Sequence, residues 1–138
     1  MTDSINYLLS IETKGIKLGF ERTSRMMKAC NNPHLGLPVI QVAGTNGKGS
    51  VCAILASILK KANYKTGLFT SPHLMRVNER IRINGESISD AEIDSFIKYY
   101  KQEIEKIEAT FFETTTALAC WYFKKENVDI AILETGLG

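Results

Sequence analysis

An apolar run, a glycine-rich turn and an amphipathic helix follow one another without a break in the first half of the chain. No other feature so narrows what it can fold into. Val39-Ile40-Gln41-Val42-Ala43 reads as a strand, and Gly44-Thr45-Asn46-Gly47-Lys48-Gly49-Ser50 is the turn. Val51, Ile54, Leu55, Ile58, Leu59 and Ala62 then recur at helical spacing, so a helix is expected from about Ser50 to Asn63. A turn of this kind cradles phosphate. Its amides point inward, the helix N-terminus adds partial positive charge and Lys48 adds a full one. Gly44, Thr45, Asn46, Gly47, Lys48, Gly49 and Ser50 are therefore the candidate nucleotide-binding residues. Lys48 is also the candidate catalytic residue, since its charge can follow a moving γ-phosphoryl group. The plainer alternative is a strand-to-helix turn that happens to carry a surface lysine.

The spacing is irregular. A standard P-loop, G-x-x-x-x-G-K-[ST], needs glycine where Val42 stands and a hydroxyl where Gly49 stands. The dinucleotide fingerprint G-x-G-x-x-G is not met either, because the glycines run G-x-x-G-x-G with a lysine among them.

Composition sets the remaining bounds. At 138 residues, 44% hydrophobic and 23% charged, the chain suits one modest globular α/β domain. A net charge of +2 gives no footprint for nucleic acid or a membrane surface. No apolar run reaches transmembrane length, and Met1-Thr2-Asp3-Ser4 does not open a signal peptide. Cys30, Cys52 and Cys120 are odd in number and widely spaced; Cys52 and Cys120 fall inside apolar helix patterns and read as core thiols, which fits a reduced cytoplasm.

Along the chain, a short helix is expected over residues 4–11 with Ser4 as its cap, and another from Phe20 to Cys30. Lys65 to Thr70 reads as a second parallel strand. Val77 to Ile83 and Glu86 to Ile88 read as a hairpin about Asn84-Gly85. Ser89-Asp90-Ala91-Glu92 is a capping box opening a helix with Ile93, Phe96, Ile97, Tyr100, Ile104 and Ile107 on one face. A helix from about Thr114 to Lys125 is apolar almost all round, and Val128 to Leu133 is the last strand. The alternation predicts a three-layer, P-loop-type α/β fold: a mostly parallel sheet with helices on both faces and a small β-hairpin.

Ligands of such sheets bind beyond the carboxyl ends of the strands. Those ends carry Lys48, Ser71 and Glu134. A hydroxyl and a carboxylate are hard oxygen donors of the kind magnesium takes beside substrate phosphates, so Ser71 and Glu134 are the candidate metal ligands. His73 is open between contacting a phosphate or carboxylate and capping a loop. Arg80 and Arg82, on one face by alternation, are open between attracting an anion and forming a solvated face. Phe111-Phe112-Glu113 is open between core and an aromatic wall for a flat heterocycle.

Together, VAGTNGKGS, TSPHL, NERIRING, FFETTTALA and ILETGLG, in this order, resemble the folylpolyglutamate synthase and dihydrofolate synthase family, a branch of the Mur ligase-like ATP-dependent ligases. The resemblance implies ATP and Mg²⁺ as cofactors. It implies a folate or pteroate carboxylate activated as an acyl phosphate and joined to the amine of L-glutamate. It implies ATP contacts at Thr45 to Ser50 and metal contacts at Ser71 and Glu134. Substrate contacts are implied at Gly15, Ile16, Lys17, Leu18, Thr110, Phe111, Phe112 and Glu113, with His73 added as a candidate. The family motif continues beyond Gly138, so residues 1–138 read as the N-terminal part of an ATP-binding domain, inactive alone and able to self-associate, from a monomeric parent enzyme. The alternatives are another Mur-type amino-acid ligase and a non-catalytic nucleotide-binding fragment.

Overall fold

The computed structural model describes residues 2–12, 21–44, 46–73 and 75–134. They form two compact units, Met1–Leu35 with Ser89–Tyr122, and Gly36–Ile88 with Phe123–Gly138.

The first unit is helical. Helices α1 (Asp3–Glu12) and α2 (Glu21–Ala29) pack against α4 (Asp90–Ile107). The cap of α1 is Thr2, whose hydroxyl accepts from the Ile5 N–H at 3.2 Å. Ser4, the expected cap, lies inside the helix and is buried. Ser89 does cap α4, its hydroxyl accepting from the Glu92 N–H at 3.2 Å. Ile93, Phe96, Ile97, Ile104 and Ile107 are the buried face of α4, as the spacing predicts, while Tyr100 on that face is only half-buried. Helix α5 (Phe111–Lys125) begins at Phe111 rather than at Thr114. The cause is a second capping box. Glu113 Oε1 accepts from the Thr110 N–H at 2.8 Å, and the Thr110 hydroxyl accepts from the Glu113 N–H at 3.4 Å. Cys30 and Cys120 are free and buried. Burial pushes the Cys30 thiol up to about 12, with Cys120 and then Glu103 adding to it. Burial alone pushes Cys120 up to about 11. Thiols so held protonated are packing groups, not nucleophiles.

The second unit is built on a five-stranded sheet in the order β1-β5-β2-β3-β4. Its strands are β1 (Val39–Val42), β2 (Thr66–Phe69), β3 (Ile81–Ile83), β4 (Glu86–Ser87) and β5 (Ile130–Glu134). Strands β1, β5 and β2 are parallel, while β3 and β4 add antiparallel pairs. Ala131 and Ile132 point to opposite faces of β5 and are both fully buried, so the centre of the sheet is covered on both sides. Phe123 lies against β2 where a side chain on Gly67 would stand 2.8 Å from its ring, a closeness that only glycine allows. Asn84 and Gly85 take φ of 49° and 86°, the left-handed pair that the expected hairpin requires.

Two expectations fail in this unit. The segment from Val77 is not strand throughout, because Val77–Arg80 is a 3-10 turn and β3 starts at Ile81. Side chains in that turn bond to nearby backbone and outcompete the ladder. The Asn78 amide donates to the Ile88 carbonyl at 2.8 Å, and Glu79 accepts from the Arg76 N–H at 3.1 Å. Helix α3 (Lys48–Lys61) also turns differently from its pattern. It packs against β1, β2 and β5 through the side that carries buried Cys52, while Val51, Ile54 and Ile58 are exposed. Its apolar positions span more of the circumference than one sheet contact can cover.

Candidate functional site

The order of the parallel strands builds the site. Strand β5 sits between β1 and β2, with Glu134 opposite Val42 and Leu133 opposite Phe69. The carboxyl ends of the three strands therefore open side by side, and Glu134 occupies the middle one. The chain leaving β1 enters α3 through Gly47, at φ 75° and with no side-chain cap on the helix. A residue with a Cβ is strained there, and the uncapped start leaves helical amides directed at the loop. Asn46, Gly49 and Ser50 are exposed and Lys48 is half-buried, so the loop is open to a ligand.

Glu134 ties the three ends together. It is 7% exposed. Its Oε1 accepts from the Ser71 N–H at 3.2 Å, just beyond β2. Its Oε2 lies 3.8 Å from where a Cβ on Gly49 would stand, in the first turn of α3. Cys52 lies beneath this group, completely buried. Burial pushes its thiol up, the Glu134 charge adds to the effect, and the Lys48 charge opposes it. One buried thiol thus feels both the glutamate and the lysine. Lys48, Gly49, Ser71 and Glu134 are brought together as the sequence predicts. No group of three or more His, Cys, Asp or Glu side chains forms a metal cage among the described residues. One buried carboxylate beside the open phosphate-type loop is the hard oxygen donor that these strand ends offer.

The remaining candidates are distributed as follows. His73 is half-buried in the loop after β2, and its Nδ1 accepts from Arg80 Nε at 2.7 Å. Arg80 is buried in the 3-10 turn, so it does not share a solvated face with Arg82. Thr110, Phe111 and Glu113 are buried in the helical unit, and Glu113 Oε1 also lies 3.3 Å from Arg22 Nε. In that segment Phe112 is the exposed residue, at 45%. Arg22 and Arg80 were not marked as partners by sequence reasoning. The T-x-x-E spacing signals the capping contacts between Thr110 and Glu113, but nothing local announces either arginine. Gly15, Ile16, Lys17, Leu18 and Thr45 lie outside the described residues. No described helix is long and apolar enough to cross a membrane.

The dihydrofolate synthase/folylpolyglutamate synthase of Escherichia coli K12 is 39% identical over 134 residues, covering 97% of this chain and 32% of its own length. The crystal structure of folylpolyglutamate synthase from Thermotoga maritima superposes with a TM-score of 0.90 at 38% identity, over 98% of this chain and 34% of that one. The chain belongs to the folylpolyglutamate synthase and dihydrofolate synthase family. Solved members of this synthase family include a complex with AMPPCP and folate, which matches at a TM-score of 0.86 and 34% identity over 97% of this chain and 35% of its own. The chain spans about a third of the length of these three synthases. No protein-family model matches it.

Proposed function

We propose that this chain supplies the phosphate- and magnesium-binding part of an ATP-dependent ligase. The ligase would activate the carboxylate of a reduced folate or dihydropteroate and join it to L-glutamate. The reading rests chiefly on Glu134, whose carboxylate contacts Ser71 on one side and faces the first turn of α3 on the other. A substrate carboxylate oxygen attacks the γ-phosphorus, the bond to the β-bridging oxygen breaks, and ADP leaves. The glutamate nitrogen then attacks the acyl carbon and loses a proton as inorganic phosphate departs. Lys48 and the amides of Gly47 to Ser50 would offset phosphate charge during the transfer. The Ser71 hydroxyl and Glu134 would hold magnesium, which when bound adds positive charge beside the phosphates.

Phe112 would offer its exposed ring to the flat pterin, with Thr110, Phe111 and Glu113 fixing the helix start beneath it. Gly15 to Leu18, and separately His73, are further proposed substrate contacts. Residues 1–138 would form part of an ATP-binding domain in a cytoplasmic enzyme. A second reading is a nucleotide-binding module without turnover.

Calorimetry with Mg²⁺–AMPPCP tests the core of the proposal. Lys48→Ala is expected to weaken binding by at least about tenfold, or ~1.4 kcal/mol, in a folded variant. Unchanged affinity would remove the phosphate-loop assignment. ADP release that depends on glutamate together with dihydropteroate or tetrahydrofolate separates the ligase from the module.

A further inference from the structure

The loop carrying Ser71 and His73 is held by the 3-10 turn that replaces the expected strand. Asn78 anchors the turn to the Ile88 carbonyl at 2.8 Å. Glu79 accepts from the backbone N–H groups of Met75 at 3.2 Å and Arg76 at 3.1 Å. The Arg80 carbonyl accepts from the Thr70 N–H at 2.9 Å, at the root of the loop. The Arg80 side chain then reaches back, and its Nε donates to His73 Nδ1 at 2.7 Å. Three successive residues, Asn78, Glu79 and Arg80, each fix a different part of this short segment.

The last contact has a chemical consequence. A guanidinium has donors and no acceptor, so the imidazole nitrogen facing it must be the acceptor. The ring proton then sits on Nε2, on the side of the ring away from Arg80. We propose that Arg80 is a positioning residue that fixes His73 as an Nε2–H donor for an anionic oxygen of the substrates, beside Ser71 at the end of β2. The oxygen belongs either to the nucleotide phosphates or to the substrate carboxylate, and its identity rests on the ligase reading above. Burying a guanidinium is costly unless it is bonded, and one of the bonds of buried Arg80 goes to a half-exposed ring at the site.

The chain has two histidines, His34 and His73, so long-range proton–nitrogen NMR of the nitrogen-labelled chain shows two imidazoles, and His34→Gln assigns them. The expected pattern for His73 is one tautomer, with bare Nδ1 and protonated Nε2. In Arg80→Met the single pattern is expected to give way to exchange between both tautomers. A proton on Nδ1 in the unaltered chain overturns the proposal, and that measurement needs no variant to fold. So does an unchanged pattern in folded Arg80→Met. Mg²⁺–AMPPCP and folate, added separately, identify the oxygen by which one shifts the His73 Nε2–H signal. If the amides of Gly47, Gly49 and Ser50 respond to Mg²⁺–AMPPCP while His73 responds in neither arm, the donor role is overturned. If those amides do not respond, the nucleotide reading fails, while the tautomer pair still decides the role of Arg80.

Discussion

Glu113 at the start of α5 and Glu134 at the end of β5 are both buried carboxylates, 2% and 7% exposed. Their surroundings differ in kind. Glu113 Oε1 takes the Thr110 N–H three positions back and sits against Arg22, so its charge is neutralised within the helical unit. Glu134 takes one N–H from Ser71 and turns its other oxygen toward the start of α3. Its companions come from strand ends far apart in the sequence, and the loop beside it is exposed. A buried carboxylate spent on a helix cap and an arginine stabilises the fold. One placed among open strand ends and helix amides is the one proposed to meet a cation and phosphate.

Substitutions can break this contrast. The largest effect is expected from Glu113→Ala, which leaves the partly buried Arg22 without its carboxylate and α5 without half its cap. A loss of about 3 kcal/mol in urea denaturation is expected. A loss below ~1 kcal/mol would mean that the ion pair contributes little. Glu134→Gln keeps an oxygen for the Ser71 N–H while removing the charge. Thermal stability should hold, and the enhancement of AMPPCP affinity by magnesium should fall by at least about tenfold, or ~1.4 kcal/mol. If this variant instead unfolds as Glu113→Ala does, the two glutamates play the same structural role and the contrast is lost.

Smaller changes sharpen it. Thr110→Ala removes only the hydroxyl half of the capping box, and about 1 kcal/mol of stability should go with it. A loss equal to that of Glu113→Ala would assign the whole effect to the cap and none to Arg22. Ile54→Gln on α3 should change stability by no more than about 0.5 kcal/mol, because the side chain is 60% exposed. A larger loss would show that the exposed stripe is covered in solution.

What could be read from the sequence followed the range of the interactions. The Asn84-Gly85 hairpin, the Ser89 cap and the buried face of α4 depend on residues within a few positions of one another, and each appears where its pattern predicts. The Thr110 to Glu113 capping box is equally local, yet its two aromatic residues drew attention to a ligand instead. Ser71, Glu134 and Lys48 could be named because strand ends in a parallel sheet carry the ligand. Their actual contacts could not be read. Arg80 was hidden for another reason. Its alternation with Arg82 is that of a strand, but side-chain bonds to nearby backbone made the segment a turn.

The sequence by itself determined the strand, glycine turn and helix proposed to receive phosphate, because φ freedom, hydrophobic period and capping are properties of neighbouring residues. It also carried the motifs that mark the family. Only the tertiary structure decided that β5 enters between β1 and β2, which side of α3 meets the sheet, and which imidazole nitrogen of His73 faces Arg80. Strand order and side-chain partnership depend on groups brought together from distant parts of the chain. Local spacing does not encode which of them will meet.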